Sequence, residues 1–165
     1  MAESGNLLSD DHADVDLLLN DVFQKLEHGT AADALKALDL FWARLAMHIR
    51  AEHLHLFPAV LKIDSETDIS EILESLRRDH DFFMHELADS MKAMRLIATE
   101  SESEVMRDTA ARLEAIKDRL VKHNALEEER IYPLQHRLPA SEREQLARSI
   151  AKELSNLPPR FSKVE

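Results

Sequence analysis

The chain has 165 residues, the size of one domain, and a formal net charge of −11, which argues against a nucleic-acid partner because nothing would neutralise phosphates. Two glycines, five prolines and abundant Ala, Leu, Glu, Lys and Arg favour helix, and the absence of cysteine excludes disulfides, thiolate metal sites and cysteine nucleophiles. No stretch approaches the roughly 20 apolar residues of a membrane span, the acidic N-terminus lacks the pattern of a signal peptide, and a soluble cytoplasmic protein is expected.

The pattern predicts a first helix over about 9–28, with Ser9 as N-cap and Gly29 just past its end. Thr30 or Asp33 caps a second helix that runs to about 61, and the polar 62–68 stretch is a turn. A third helix covers about 69–98. A break at 99–103, with Ser101 or Ser103 as cap, precedes a fourth that extends to about 137. Pro139 and Ser141 introduce a short fifth helix, about 141–155, followed by a tail. Four long helices with short polar loops and no strand signal imply an all-α, up-down-up-down four-helix bundle. The chain reads as a single domain over 1–165, with the bundle at about 9–137 and the short helix and tail at about 140–165.

Each helix carries one apolar stripe at core spacing, and each stripe contains one histidine. The first reads Leu8, His12, Val15, Leu19, Val22, Leu26; the third reads Ile69, Leu73, Leu76, His80, Phe83, Leu87. The second reads Ala34, Leu38, Phe41, Leu45, His48, Glu52, His55, Ala59, and the fourth repeats it 75 residues later as Thr109, Leu113, Ile116, Leu120, His123, Glu127, Arg130, Leu134. The four histidines lie about 16 to 22 residues from the intervening turns. At roughly 1.5 Å per residue, all four imidazoles arrive at nearly one level, with Glu52 and Glu127 one turn beyond.

Two carboxylates buried unpaired are costly, and the layer has no lysine or arginine within it. A cation resolves the problem. His and Glu without sulfur suit iron, manganese or zinc, and six ligands exceed what one tetrahedral zinc needs. Two metals, each held by two imidazoles and bridged by both carboxylates, use every ligand and leave a position for a small ligand such as O2, nitric oxide or peroxide. Without a cation, desolvation and repulsion are expected to raise the carboxylate pKa values. His28, His53, His85 and His136 lie off the stripes and read as solvated surface residues; Glu128 reads as exposed. His55 and Arg130 stand one turn past the glutamates, at the site's mouth or the bundle end. Phe57 and Tyr132 are expected to face away from the site. Asp11, Asp16, Asp79 and His55 are the nearest groups for moving protons.

The paired runs "HIRAEHLHLFP" (48–58) and "HNALEEERIYP" (123–133), each preceded upstream by an Asp-His helix at 11–12 and 79–80, resemble the hemerythrin-like, or HHE cation-binding, domain family over about residues 9–137. The resemblance implies a four-helix bundle with a non-haem di-iron centre, oxo- and carboxylate-bridged, zinc or manganese being alternatives. It makes His12, His48, His80 and His123 terminal ligands and Glu52 and Glu127 bridging ones. Oxygen-carrying hemerythrins have a fifth histidine four residues after the third-helix ligand, where this chain has Met84. The four-His, two-Glu set looks more like the iron-centre-repair proteins of the nitric-oxide stress response and the iron- and oxygen-sensing domains. The resemblance implies a protein that binds or senses O2, nitric oxide or iron; the alternative is a di-iron enzyme or repair protein in peroxide breakdown, nitric oxide reduction or iron donation. A protein partner is expected for a sensing role.

Overall fold

A computed structural model describes residues 4–63, 67–97 and 101–161. Helix α1 spans Ser4–His28, α2 Ala31–Ala51, α3 Phe57–Ile63, α4 Thr67–Arg95, α5 Glu102–Leu126 and α6 Ala140–Leu154. A π-helical turn, Glu52–Leu56, joins α2 to α3 without a break. A second, Glu127–Ile131, leads from α5 into a 3-10 helix, Tyr132–Arg137. None of the described residues is in a strand, and the chain is an all-α bundle in which α1, α2, α4 and α5 pack in a ring, each against its sequence neighbour, with α5 closing on α1.

The helix limits differ from the sequence expectation where local chemistry is permissive. Helix α1 starts five residues early, so Ser9 lies inside it rather than capping it. Thr30 does cap α2, its hydroxyl accepting from the Asp33 N–H at 3.1 Å. Ser101 occupies the N-cap of α5 without a capping hydrogen bond, and Pro139, not Ser141, precedes α6. Helix α4 ends at Arg95, short of the expected 98. Of the turn expected at 62–68, residues 62 and 63 close α3, 67 and 68 open α4, and 64–66 lie outside the described residues.

Both π-turns have a cause in the sequence. Pro58 and Pro133 lack an N–H, and their rings crowd the carbonyl four residues back. The chain widens instead: the Phe57 and Tyr132 N–H groups donate to the carbonyls of Glu52 and Glu127, five residues back. The widening shifts the buried stripe by one position. Up to the glutamates the expected positions are buried; beyond them the buried residues are Leu56, Phe57 and Val60, and Ile131, Tyr132 and Gln135.

The core has two apolar layers. One holds Val15, Leu19, Val22, Leu38, Phe41, Phe83, Leu87, Leu113 and Ile116. The other holds Leu8, Leu56, Phe57, Val60, Leu73, Leu76 and Tyr132, and α6 covers it with Leu146 and Ile150. Glu153 fastens α6 by accepting from Arg50 Nε at 3.1 Å, with His55 Nε2 3.4 Å away. Between the layers lie buried histidines and glutamates: His12, His48, His80, His123, Glu52 and Glu127.

Candidate metal centre

The six residues singled out by the stripes meet. His12, His48, His80, His123, Glu52 and Glu127 are all buried, and both glutamates are fully so. Their donor atoms form two sets, His12–His48–Glu52–Glu127 and Glu52–His80–His123–Glu127, each with its atoms within 4.8 Å of one another. Both carboxylates belong to both sets.

The imidazoles share one orientation. Each turns Nδ1 outward to a fixed partner: His48 to Asp11 at 2.9 Å, His123 to Asp79 at 3.0 Å, His80 to His53 at 2.7 Å and His12 to Glu128 at 3.4 Å. Asp11 and Asp79 are held in turn by Arg44 and Arg119, both at 2.7 Å. Nε2 of every ring therefore faces inward, at 3.5 Å from Glu52 for His48, 3.2 Å from Glu52 for His80, 3.3 Å from Glu127 for His123 and 3.1 Å from Glu127 for His12. Anchoring one ring nitrogen and presenting the other is how proteins prepare histidine for a metal.

Charge inside the layer is internally compensated. Burial opposes a proton on His48, yet Glu52 and Asp11 outweigh it and raise the imidazole to about 10. For His123 burial is likewise overcome, by Glu127 and Asp79, and the ring rises to about 9. Glu52 corrects the expectation of a raised carboxylate: burial does push it up, but the charge on His48, together with the hydrogen-bonding groups around the carboxylate, His80 among them, holds it well below the usual range. Asp11 is lowered as well, since His48 and Arg44 together exceed the cost of its burial.

Three expectations fail here. Tyr132 does not face away. Its hydroxyl donates to Glu52 Oε2 at 2.8 Å and lies 3.2 Å from Glu127 Oε1, 3.0 Å from His12 Nε2 and 3.3 Å from His48 Nε2. Phe57 does not face away either: it is fully buried and stacks on His80, the rings 6.0 Å apart and 7° from parallel. In a π-turn the fifth residue, not the fourth, returns to the same side, so both aromatics land beside the glutamates that precede them. His53, expected to be solvated, is half-buried and bonded to His80. Glu128 is 44% exposed as expected, but its carboxylate reaches His12. His55 and Arg130 belong to the bundle end, pairing with Glu153 and Asp68 rather than the layer. His28, His85 and His136 are exposed, as is Asp16. Arg44 and Arg119 were legible only through the repeat: each stands four residues before its histidine.

The donor set suits a metal cation. Glu52 Oε1 and Glu127 Oε2 are buried side-chain oxygens without a hydrogen-bond partner. Those orphaned atoms face the inward Nε2 of His80 and His123, which themselves lie only 3.1 Å apart. Buried carboxylate oxygens and imidazole nitrogens crowd together there, held apart in the metal-free protein by protons that a cation can replace.

No described helix is long and apolar enough to cross a membrane. No curated protein and no solved structure shows a match to the chain. A family model does: the hemerythrin HHE cation binding domain matches residues 5–134, and the chain belongs to that family.

Proposed function

We propose that this chain is a non-haem di-iron protein that binds or senses a small ligand, O2 or nitric oxide, or iron itself. The observation that carries the reading is the pair of overlapping His2Glu2 sets that share both buried carboxylates. Nitrogen and oxygen donors without sulfur fit iron, and the number of donors exceeds a closed tetrahedral zinc site. A redox-active cation pair supplies reversible attachment of, or electron exchange with, a small ligand. The chain supplies the rest. His48 and His123 are oriented by Asp11 and Asp79, and the Arg44 and Arg119 guanidiniums hold those carboxylates in place. Apolar layers on both sides keep bulk water from the glutamates. A cleft of about 170 Å3 between α1 and α5 is lined by Asp16, Leu19, Lys117 and Leu120, of which Asp16 and Leu120 stand one helical turn from His12 and His123.

A second reading, an enzyme of peroxide breakdown or nitric oxide reduction, has one observation in its favour. Tyr132 places an O–H inside the layer, a proton source that the sequence pattern alone did not supply. Tyr132→Phe, compared with wild type at matched iron content, separates the two: it should abolish turnover under the enzymatic reading and still show the ligand-induced spectral change under the first.

The test of the common premise is metal analysis with an optical spectrum. Iron-loaded protein should hold about two ions per chain, and its spectrum should respond to O2, nitric oxide or peroxide. Glu52→Ala or Glu127→Ala should lose metal while remaining helical. One tightly bound zinc per chain with no iron uptake overturns the proposal.

A further inference from the structure

The two hairpins are near copies, and the layer they build is nearly symmetric. Arg44, His48 and Glu52 answer to Arg119, His123 and Glu127, and Asp11–His12 to Asp79–His80. The distances follow: 2.9 Å and 3.0 Å for the two Asp–His contacts, 2.7 Å for each Arg–Asp contact. Each hairpin also reaches across to the other. The residue after the glutamate holds the opposite hairpin's first histidine, and the aromatic five residues after the glutamate stacks on that same ring.

The symmetry breaks at those two crossing positions, and both breaks fall on one side. On His12 the second hairpin places Glu128 and Tyr132; on His80 the first hairpin places His53 and Phe57. One half of the layer therefore faces a carboxylate and a phenol, with the phenol oxygen 3.0 Å and 3.3 Å from its two ring nitrogens. The other half faces an imidazole and a phenyl ring. An imidazole hydrogen-bonded to a carboxylate is a stronger donor than one bonded to a neutral ring, and a phenol adds a hard oxygen where phenyl adds none.

We infer that the two cation positions are inequivalent. The His12–His48 position is the retentive one, filled first and emptied last, and the His80–His123 position is the exchangeable one. The inference rests on the two-cation reading and assigns an order within it. Glu128 and Tyr132 set the preference: Glu128 acts through His12, and Tyr132 through its own oxygen.

Order must be read by position, because two like charges bind stepwise even in a symmetric site. Zn2+ is the probe, being redox-inert, and the ring-nitrogen NMR signals of the four histidines report where it sits. At half an equivalent per chain, the His12 and His48 signals should shift, with occupancy exceeding that of His80–His123 by about tenfold or more. The double variant Tyr132→Phe, Glu128→His makes the second hairpin resemble the first and should bring the halves toward equal occupancy. The reverse pair, Phe57→Tyr with His53→Glu, should move occupancy to His80–His123 and keeps the test decisive if the first variant fails to fold. Equal shifts at all four histidines of the wild type, or filling of His80–His123 first, overturn the inference. Saturation at one equivalent instead refutes the two-cation reading, a result distinguishable by its stoichiometry.

Discussion

A single ring nitrogen decides how well each imidazole of the layer can serve. His48 and His123 are held at Nδ1 by Asp11 and Asp79, so their inward nitrogens are aimed before any cation arrives. Replacing either aspartate by Ala frees the ring and leaves Arg44 or Arg119 without its partner. Metal affinity measured against a competing chelator should fall about 10- to 100-fold. Asn, which still accepts a hydrogen bond, should restore much of the loss. His53→Ala should weaken binding comparably through His80, whereas the exposed His85→Ala should not. Wild-type affinity in His53→Ala would remove His53 from the machinery. Sequence periodicity assigned His53 to solvent because it records one stripe per helix; a residue flanking the stripe that reaches sideways to the next helix leaves no trace in it.

The helices were legible as far as the glutamates and not beyond. Every stripe position from Ala34 to Glu52 and from Thr109 to Glu127 that the pattern assigned to the core is buried. The pattern then presumes 3.6 residues per turn, and the π-turns break that presumption, so Phe57 and Tyr132 arrive where the period puts none. The doublets "FP" and "YP" carried the signal, because proline forces the backbone to find another partner for the preceding carbonyls. The fifth helix was foreseen within a residue at each end, but not its seat against α1, α2 and the first π-turn, since loops erase direction. That seat has an energetic consequence. Ile150 is fully buried in the layer that contains Phe57 and Tyr132. Ile150→Ala should cost about 2–5 kcal/mol in denaturant unfolding, with metal stoichiometry unchanged because the opposite apolar layer is untouched. A loss under 1 kcal/mol, on the scale of a surface substitution, would mean that α6 is not packed as described.

Across the whole molecule, metal and fold compete for the same protons. In the metal-free protein His48 and His123 hold theirs up to about 10 and about 9, against an ordinary 6.5. A group whose pKa is raised by folding stabilises the native state fully below its unfolded value, and that contribution disappears as pH rises through the folded value. Metal-free protein should therefore lose stability between about pH 6.5 and 10, through about 9 for His123 and about 10 for His48. Glu52 sets the acid limit with the opposite sign, its contribution present above about 4.5 and lost as pH falls through its depressed value. Between these limits lies the metal-free optimum. Cations require the inward nitrogens of those histidines bare, so loading releases protons and tightens as pH rises, by up to about tenfold per pH unit for each proton displaced. Binding to the native state alone adds stability by mass action. The two melting curves should diverge. From pH 6.5 to 8.5 the metal-free Tm falls, while the Tm in excess Mn2+ holds or rises. Glu52→Gln, which removes the charge that raises His48, should flatten the metal-free slope and shrink the gap. Parallel curves, or a gap that narrows toward alkaline pH, would show that the protons on His48 and His123 are not what the cations displace.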